Sequence, residues 1–165
     1  MTVPTRTFGK NGPQVSVVGL GLMGMSAYYG PAMPDETAFP LLDKAIELGC
    51  THWDTSNMYG ANEDTLNRYF KARPGAREKV FLATKFGVLG WDGKTSGVRG
   101  DYDYVIECGN KALERIGTSY IDLFYVKLSG KELEELNKVV RSADVRGDRY
   151  SVMADVIRDT VPLQE

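Results

Sequence analysis

The sequence predicts an α/β fold: about four parallel strands forming an incomplete, half TIM-type (β/α) barrel, with an N-terminal β-hairpin and a C-terminal helix plus tail. Three observations lead there. Runs of β-branched and aromatic residues alternate with stretches of helical periodicity, an order that gives a parallel sheet with right-handed crossovers. The chain has 165 residues, about one domain, whereas eight strand-plus-helix units take about 250. Finally, 42% of the residues are hydrophobic, and a domain of this size buries on the order of 70% of its unfolded surface, so an ordinary core needs no staples. One domain is expected over 1–165, with the half barrel in 1–126 and the helix and tail in 127–165.

In order along the chain, 6–8 and 15–18 read as two short strands around Asn11-Gly12, a dipeptide that favours a two-residue hairpin turn. The second runs into Gly19, Gly21 and Gly24. Residues 35–48 place Phe39, Leu42, Ala45, Ile46 and Leu48 at helical spacing and stop at Gly49. Pro40 is then expected in the first turn, with Glu36 or Thr37 as the cap. Residues 50–56 read as a strand, 62–72 as a helix, and 79–86 as a strand after the breaker Pro74-Gly75. A long helix is expected over 101–116, ending at Gly117, and 120–126 has the apolar run of a strand buried on both faces. Ser129 and Glu132 can form a capping box for a last helix that buries Leu133, Leu136, Val139 and Val140. Beyond Asp144 the periodicity weakens, as in a tail laid on the surface.

Charge and rare residues narrow the function. Twenty Lys and Arg face twenty-two Asp and Glu, a net charge of −2 with both signs scattered, which argues against nucleic acid. Cys50 and Cys108 form neither a disulfide framework nor a paired zinc motif, which fits a reducing compartment. No run approaches the roughly eighteen apolar residues of a membrane span, so a soluble, cytoplasmic protein is expected. With His52 as the single histidine, a two-His metal site cannot be built and a Ser-His-Asp triad would have to use that one residue. No metal is expected.

Two constellations carry chemistry. Gly19-Leu20-Gly21-Leu22-Met23-Gly24 matches the glycine fingerprint of dinucleotide binding. That motif should open a helix at once, yet the next helix starts near Asp35, so a tight turn is the competing reading. The second set is Asp54, Tyr59 and Lys85, with Asp54 and Lys85 at the carboxyl ends of expected strands, where α/β sites form. Reduction of a carbonyl needs a proton for the developing alkoxide. A tyrosine can deliver it when a nearby cation lowers its pKa of roughly 10. Lys85 would be that cation and Asp54 its anchor; the plainer alternative is a turn tyrosine beside an ordinary ion pair.

Several phrases also carry a family resemblance. Gly19-Leu20-Gly21-Leu22-Met23-Gly24-Met25-Ser26, Gly49-Cys50-Thr51-His52-Trp53-Asp54-Thr55 followed by Tyr59-Gly60 and Asn62-Glu63, Phe81-Leu82-Ala83-Thr84-Lys85-Phe86-Gly87, and Leu113-Glu114-Arg115-Ile116-Gly117 with Tyr120-Ile121-Asp122-Leu123 resemble the aldo-keto reductases, over 1 to about 126. The resemblance implies a (β/α)8 barrel opened by a bottom-capping hairpin, NADPH as coenzyme, and a tyrosine acid supported by Asp, Lys and His. Asp54, Tyr59 and Lys85 match three of those four groups; Lys127 stands where the histidine is expected. The coenzyme contacts it implies in this stretch are Gly21, Leu22, Met23 and Asp54.

Segments 127–133 and 143–150 resemble the last helix and tail of the same family, so the simplest account is an internal deletion joining the fourth strand to the C-terminal segment. Such a deletion removes the strands that grip the nicotinamide and bind the adenosine phosphate. Lys127 beside Lys85 would place two cations together and depress one of their pKa values. The implied function is NADPH-dependent reduction of aldehydes or ketones to alcohols with Tyr59 as general acid, weakened by these losses. A homo-oligomer through the open barrel edges is expected. Two readings stay open beside it: a non-catalytic form acting through protein–protein association, and a cofactor-independent acid–base enzyme using Tyr59 and Lys85.

Other residues have plainer roles. His52 reads as a hydrogen-bonded core residue, Cys50 as a small buried hydrophobe, and Met23, Met25, Met33 and Met58 as packing. By the resemblance, Tyr28 and Tyr29 border the substrate mouth; an ordinary exposed loop is the alternative. Arg99 to Tyr104 and Trp91-Asp92-Gly93 are candidates to shape a pocket.

Overall fold

The computed structural model describes residues 2–89 and 97–126. Strands β1 (Thr5–Thr7) and β2 (Gln14–Ser16) form an antiparallel hairpin. The chain then alternates through β3 (Gly19–Gly21), α1 (Asp35–Glu47), β4 (His52–Asp54), α2 (Asn62–Ala72), β5 (Phe81–Phe86), α3 (Tyr102–Ile116) and β6 (Leu123–Val126). The sheet order β3-β4-β5-β6 is parallel throughout. This is the expected α/β half barrel with its hairpin. Lys127, the Ser129 helix, the tail and Trp91-Asp92-Gly93 lie outside the described residues.

The period-2 alternation of side chains sorts the sheet into two faces. Trp53, Leu82 and Thr84 are fully buried on the helix side, and Trp53 and Leu82 join Leu42, Leu66, Tyr69 and Ile116 in the core. The other face carries Gly19 and Gly21 beside His52 and Asp54, then Phe81, Ala83 and Lys85, then Tyr125. The hairpin covers the strand starts of this face: the Phe8 ring lies 5.9 Å from His52 and 5.7 Å from Phe81. Backbone bonds fix it there, Val3 N–H to Leu48 O at 2.8 Å and His52 N–H to Ser16 Oγ at 2.9 Å.

Several expectations need correction. The hairpin does not turn in two residues: Phe8 N–H donates to Pro13 O at 2.9 Å, so Gly9, Lys10, Asn11 and Gly12 all belong to the turn. The glycine run is neither a tight turn nor a helix start. Gly19 to Gly21 is strand β3, extended by its parallel pairing with β4, and Met23–Met25 is a single 3-10 turn. Helix α1 begins at Asp35 after Pro34, so Pro40 stands in its interior and neither Glu36 nor Thr37 is the cap. A proline there removes one i→i−4 hydrogen bond, but Ala38 and Leu42, both fully buried, drive the helix through it.

Strand β6 is half-buried along its length, not enclosed on both faces, because it is the sheet edge among the described residues. His52 is packed edge-on to Phe81 at 5.2 Å, and its hydrogen bond to Ser16 comes from the backbone. Cys50 is half-buried, its thiol 3.4 Å from Val18 O, and burial pushes its pKa up. None of the described helices is long and apolar enough to cross a membrane.

Polar contacts lock the layers. The Arg77 guanidinium, buried beside the Tyr120 ring at 3.9 Å, donates to Val80 O and Tyr120 O at 3.0 Å and to Asp122 Oδ2 at 2.8 Å. Asp122 Oδ2 also accepts Leu82 N–H at 2.8 Å, tying the approach to β6 onto β5. Helix α3 starts at an Asp101 cap that accepts from Tyr104 N–H. It ends at Gly117 in the left-handed region (φ 70°), where a Cβ would come within 2.6 Å of Asn67 Nδ2.

Candidate active site

The carboxyl ends of β4, β5 and β6 meet on the inner face. Asp54 is the last residue of β4 and pairs in register with Ala83; Lys85, two residues on, shares the face of Ala83 and pairs with Tyr125. Lys85 Nζ donates to Asp54 Oδ1 and to Thr55 O at 3.0 Å. The Tyr125 hydroxyl donates to the other oxygen, Asp54 Oδ2. Burial disfavours the Lys85 charge, yet the hydrogen bond to Asp54, with Tyr59 next in weight, overcomes it and raises the ammonium pKa above the ordinary lysine value. Burial first, then the bond to Asp54, pushes the Tyr125 phenol up to about 12.

Tyr59 comes to Lys85 on the loop after β4. Thr55 N–H bonds Ala83 O at 2.9 Å and Asn57 N–H bonds Lys85 O at 3.1 Å, carrying that loop along the end of β5. The turn closes with Tyr59 N–H to Ser56 O at 3.1 Å. A clamp holds it from the other side: the Ser26 hydroxyl donates to Tyr59 O at 2.7 Å and also engages Asn62 Oδ1. Gly60 is left-handed (φ 57°), and a Cβ there would sit 2.8 Å from Ser26 O. As a result Lys85 Nζ stands 4.6 Å from the Tyr59 ring centroid. The structure thus brings Asp54, Tyr59 and Lys85 together as one group.

A cavity of about 420 Å³ opens onto this group. Tyr28, Tyr29, Phe86, Met23 and Met58 supply most of its apolar wall, and Tyr59 and Lys85 also line it. Tyr28 takes the left-handed backbone (φ 68°), rare for an aromatic residue. The methionines therefore divide: Met25 is buried and Met33 packs against the core, whereas Met23 and Met58 face the cavity. Arg99 pairs with Asp101 and lies over the Tyr104 ring.

The four expected coenzyme contacts are placed unequally. Gly21 pairs with Asp54, and a Cβ on it would meet nothing within 4 Å. Met23 lines the cavity and Asp54 lies behind Lys85. Leu22 is engaged within the fold: its side chain is buried, its N–H bonds Asp54 O at 2.8 Å and its carbonyl accepts from Asn62 Nδ2. Sequence reasoning missed Tyr125, Ser26 and Asn62. For Tyr125 a signal existed, since alternate residues of a strand share a face and 125 precedes by two the position where the histidine is expected. The Ser26 and Asn62 clamp joins segments far apart in sequence and left no such trace.

The parallel α/β half barrel thus gathers a tyrosine, a lysine and a carboxylate at the strand ends, the end at which α/β barrels carry their sites. The chain belongs to the Aldo/keto reductase family, whose profile matches residues 17–151. It is 42% identical over 130 residues to aldo-keto reductase str7 of Strobilurus tenacellus, covering 76% of this chain and 36% of that one. It is 39% identical over 156 residues to aldo-keto reductase yakc of Schizosaccharomyces pombe, whose name carries NADP(+), covering 88% and 44% respectively. Among solved structures it resembles the aldo-keto reductase PA4992 of Pseudomonas aeruginosa, with TM-score 0.72, 26% identity and coverage of 95% of this chain and 57% of that one. It also resembles the holo form of AKR11C1 of Bacillus halodurans, with TM-score 0.64, 26% identity and coverage of 83% and 47%. The chain thus spans less than half the length of these two sequence relatives.

Proposed function

We propose that the chain carries the proton-delivering half of an NADPH-dependent carbonyl reductase site, with Tyr59 as general acid. The observation that supports it most is the Lys85 ammonium, anchored on Asp54 and 4.6 Å from the Tyr59 ring, at a cavity of about 420 Å³. The Lys85 ammonium, 4.6 Å from the ring, sets a positive charge beside the phenol as it gives its proton to a carbonyl oxygen. Asp54 keeps Lys85 charged and in place. The apolar wall from Tyr28, Tyr29 and Phe86 excludes water from the reacting carbon. The coenzyme, when bound, supplies the hydride; with the Tyr59 proton the carbonyl becomes an alcohol, and the phenolate recovers a proton from solvent.

The described residues fit the nicotinamide end of that coenzyme. Gly21 leaves open space at the end of β3, and Met23 offers an apolar surface beside it. They do not supply its phosphate end: among the described cavity residues Lys85 is the one cation, and it is bound to Asp54. We therefore infer weak coenzyme binding by a single chain, and pairing of two chains through β3 and β6, the sheet edges among the described residues, which would satisfy unpaired strand groups.

The test is fluorescence titration with NADPH followed by a carbonyl substrate screen. Binding together with turnover that falls by about 10²–10⁴-fold in Tyr59→Phe supports the proposal. No binding at near-millimolar NADPH overturns it; turnover without nicotinamide, lost in Tyr59→Phe, would instead favour coenzyme-free acid–base chemistry.

A further inference from the structure

We infer that Tyr125 is a positioning residue of this site, its hydroxyl holding the Asp54 carboxylate so that Lys85 stays against Tyr59. The inference rests on the reading of Asp54, Lys85 and Tyr59 as one working group. Asp54 ends a three-residue strand, and its side chain is 35% exposed, so water competes for both carboxylate oxygens. A single bond from Lys85 leaves the carboxylate free to swing about its side-chain torsions. Tyr125 removes that freedom: its O–H takes Oδ2 while Lys85 takes Oδ1.

The placement follows from the sheet, because Tyr125 is the register partner of Lys85 and parallel partners present side chains to the same face. The Tyr125 ring also stands 5.6 Å from Lys85 Nζ. Its phenol, pushed up to about 12, remains a donor at neutral and alkaline pH. Among the described residues, the groups facing Lys85 are therefore Asp54, Tyr59, Tyr125 and the Thr55 carbonyl. Tyr125 is outside the cavity lining, so it acts through Asp54.

Tyr125→Phe keeps the ring and removes the donor. Lys85 is followed by NMR of its side-chain nitrogen in the full chain, in wild type, Tyr125→Phe, Asp54→Asn and the double variant. The expected result is a lower Lys85 pKa in Tyr125→Phe, in the direction Asp54→Asn also produces, and no further change when the two are combined. Where turnover is measurable, kcat falls about tenfold or more with KM for NADPH unchanged. A Lys85 titration that is unmoved or rises, as it would if Tyr125 merely competed for the Asp54 charge, overturns the inference; so does an unchanged kcat in an active protein. If the wild type turns over no carbonyl, the reductase proposal fails by itself, and the NMR comparison still decides the part played by Tyr125.

Discussion

Asp54 and Glu63 show how differently two carboxylates are treated nine positions apart. Asp54 stays partly open to water with a donor on each oxygen. Glu63 is buried, takes the Thr84 hydroxyl on Oε1 at 2.9 Å, and has an Arg115 nitrogen 3.1 Å from Oε2 without hydrogen-bond alignment. Burial dominates and raises its pKa above the ordinary 4.5, despite Thr84 and Arg115. Between 4.5 and that raised value the folded chain holds a proton the unfolded chain has lost, so this group costs stability as pH rises through the window. Glu63→Gln cannot ionise. Urea unfolding of both proteins from pH 4 to 7 should show the variant gaining on the wild type as pH increases; a constant difference would refute this. The grouping of Asp54, Tyr59 and Lys85 was readable from residue types and their place at strand ends. For Tyr125 strand alternation marked the face, but its hydrogen bond to Asp54 depends on register across strands, which is set in space.

Helices α2 and α3 were readable to within a residue of their ends, α3 starting one residue after the expected 101 because Asp101 is its cap. Helix α2 occupies 62–72 as expected, its buried Asn62, Leu66 and Tyr69 repeating at helical spacing. Helix α3 has a capping aspartate and a terminal glycine. Helix α1 was misjudged at its start because burial of Ala38 and Leu42 outweighs the local cost of Pro40. The glycine run became a strand because β4 supplies the ladder bonds that its composition disfavours. Between elements, Arg77 is the principal polar tie: it reaches two carbonyls and Asp122 from a buried position. Arg77→Met should lower unfolding free energy by about 2–4 kcal/mol. Asp122→Asn, which leaves an acceptor for Leu82 N–H, should cost less, about 1–2 kcal/mol. Denaturant curves of the two variants give the order directly.

At the scale of the whole molecule, helices cover one face of a four-stranded sheet and the hairpin closes its strand-start end. Among the described residues β3 and β6 remain edges, and parallel edges that offer free N–H and C=O groups invite pairing. Light scattering over a concentration series should therefore report association of the full chain. A monomer at all concentrations would remove the partner from the proposal. By itself the sequence determined the α/β order, the half-barrel class, the family, and the trio Asp54, Tyr59 and Lys85, because these follow from local periodicity, strand-end position and residue type. Only the tertiary structure decided that the glycine run is a strand, that Pro40 lies within a helix, that Leu22 is engaged in the fold, and that Tyr125 holds Asp54. Each of these depends on register and burial between segments distant in the chain, and energies of that kind are fixed by packing, not by neighbours in sequence.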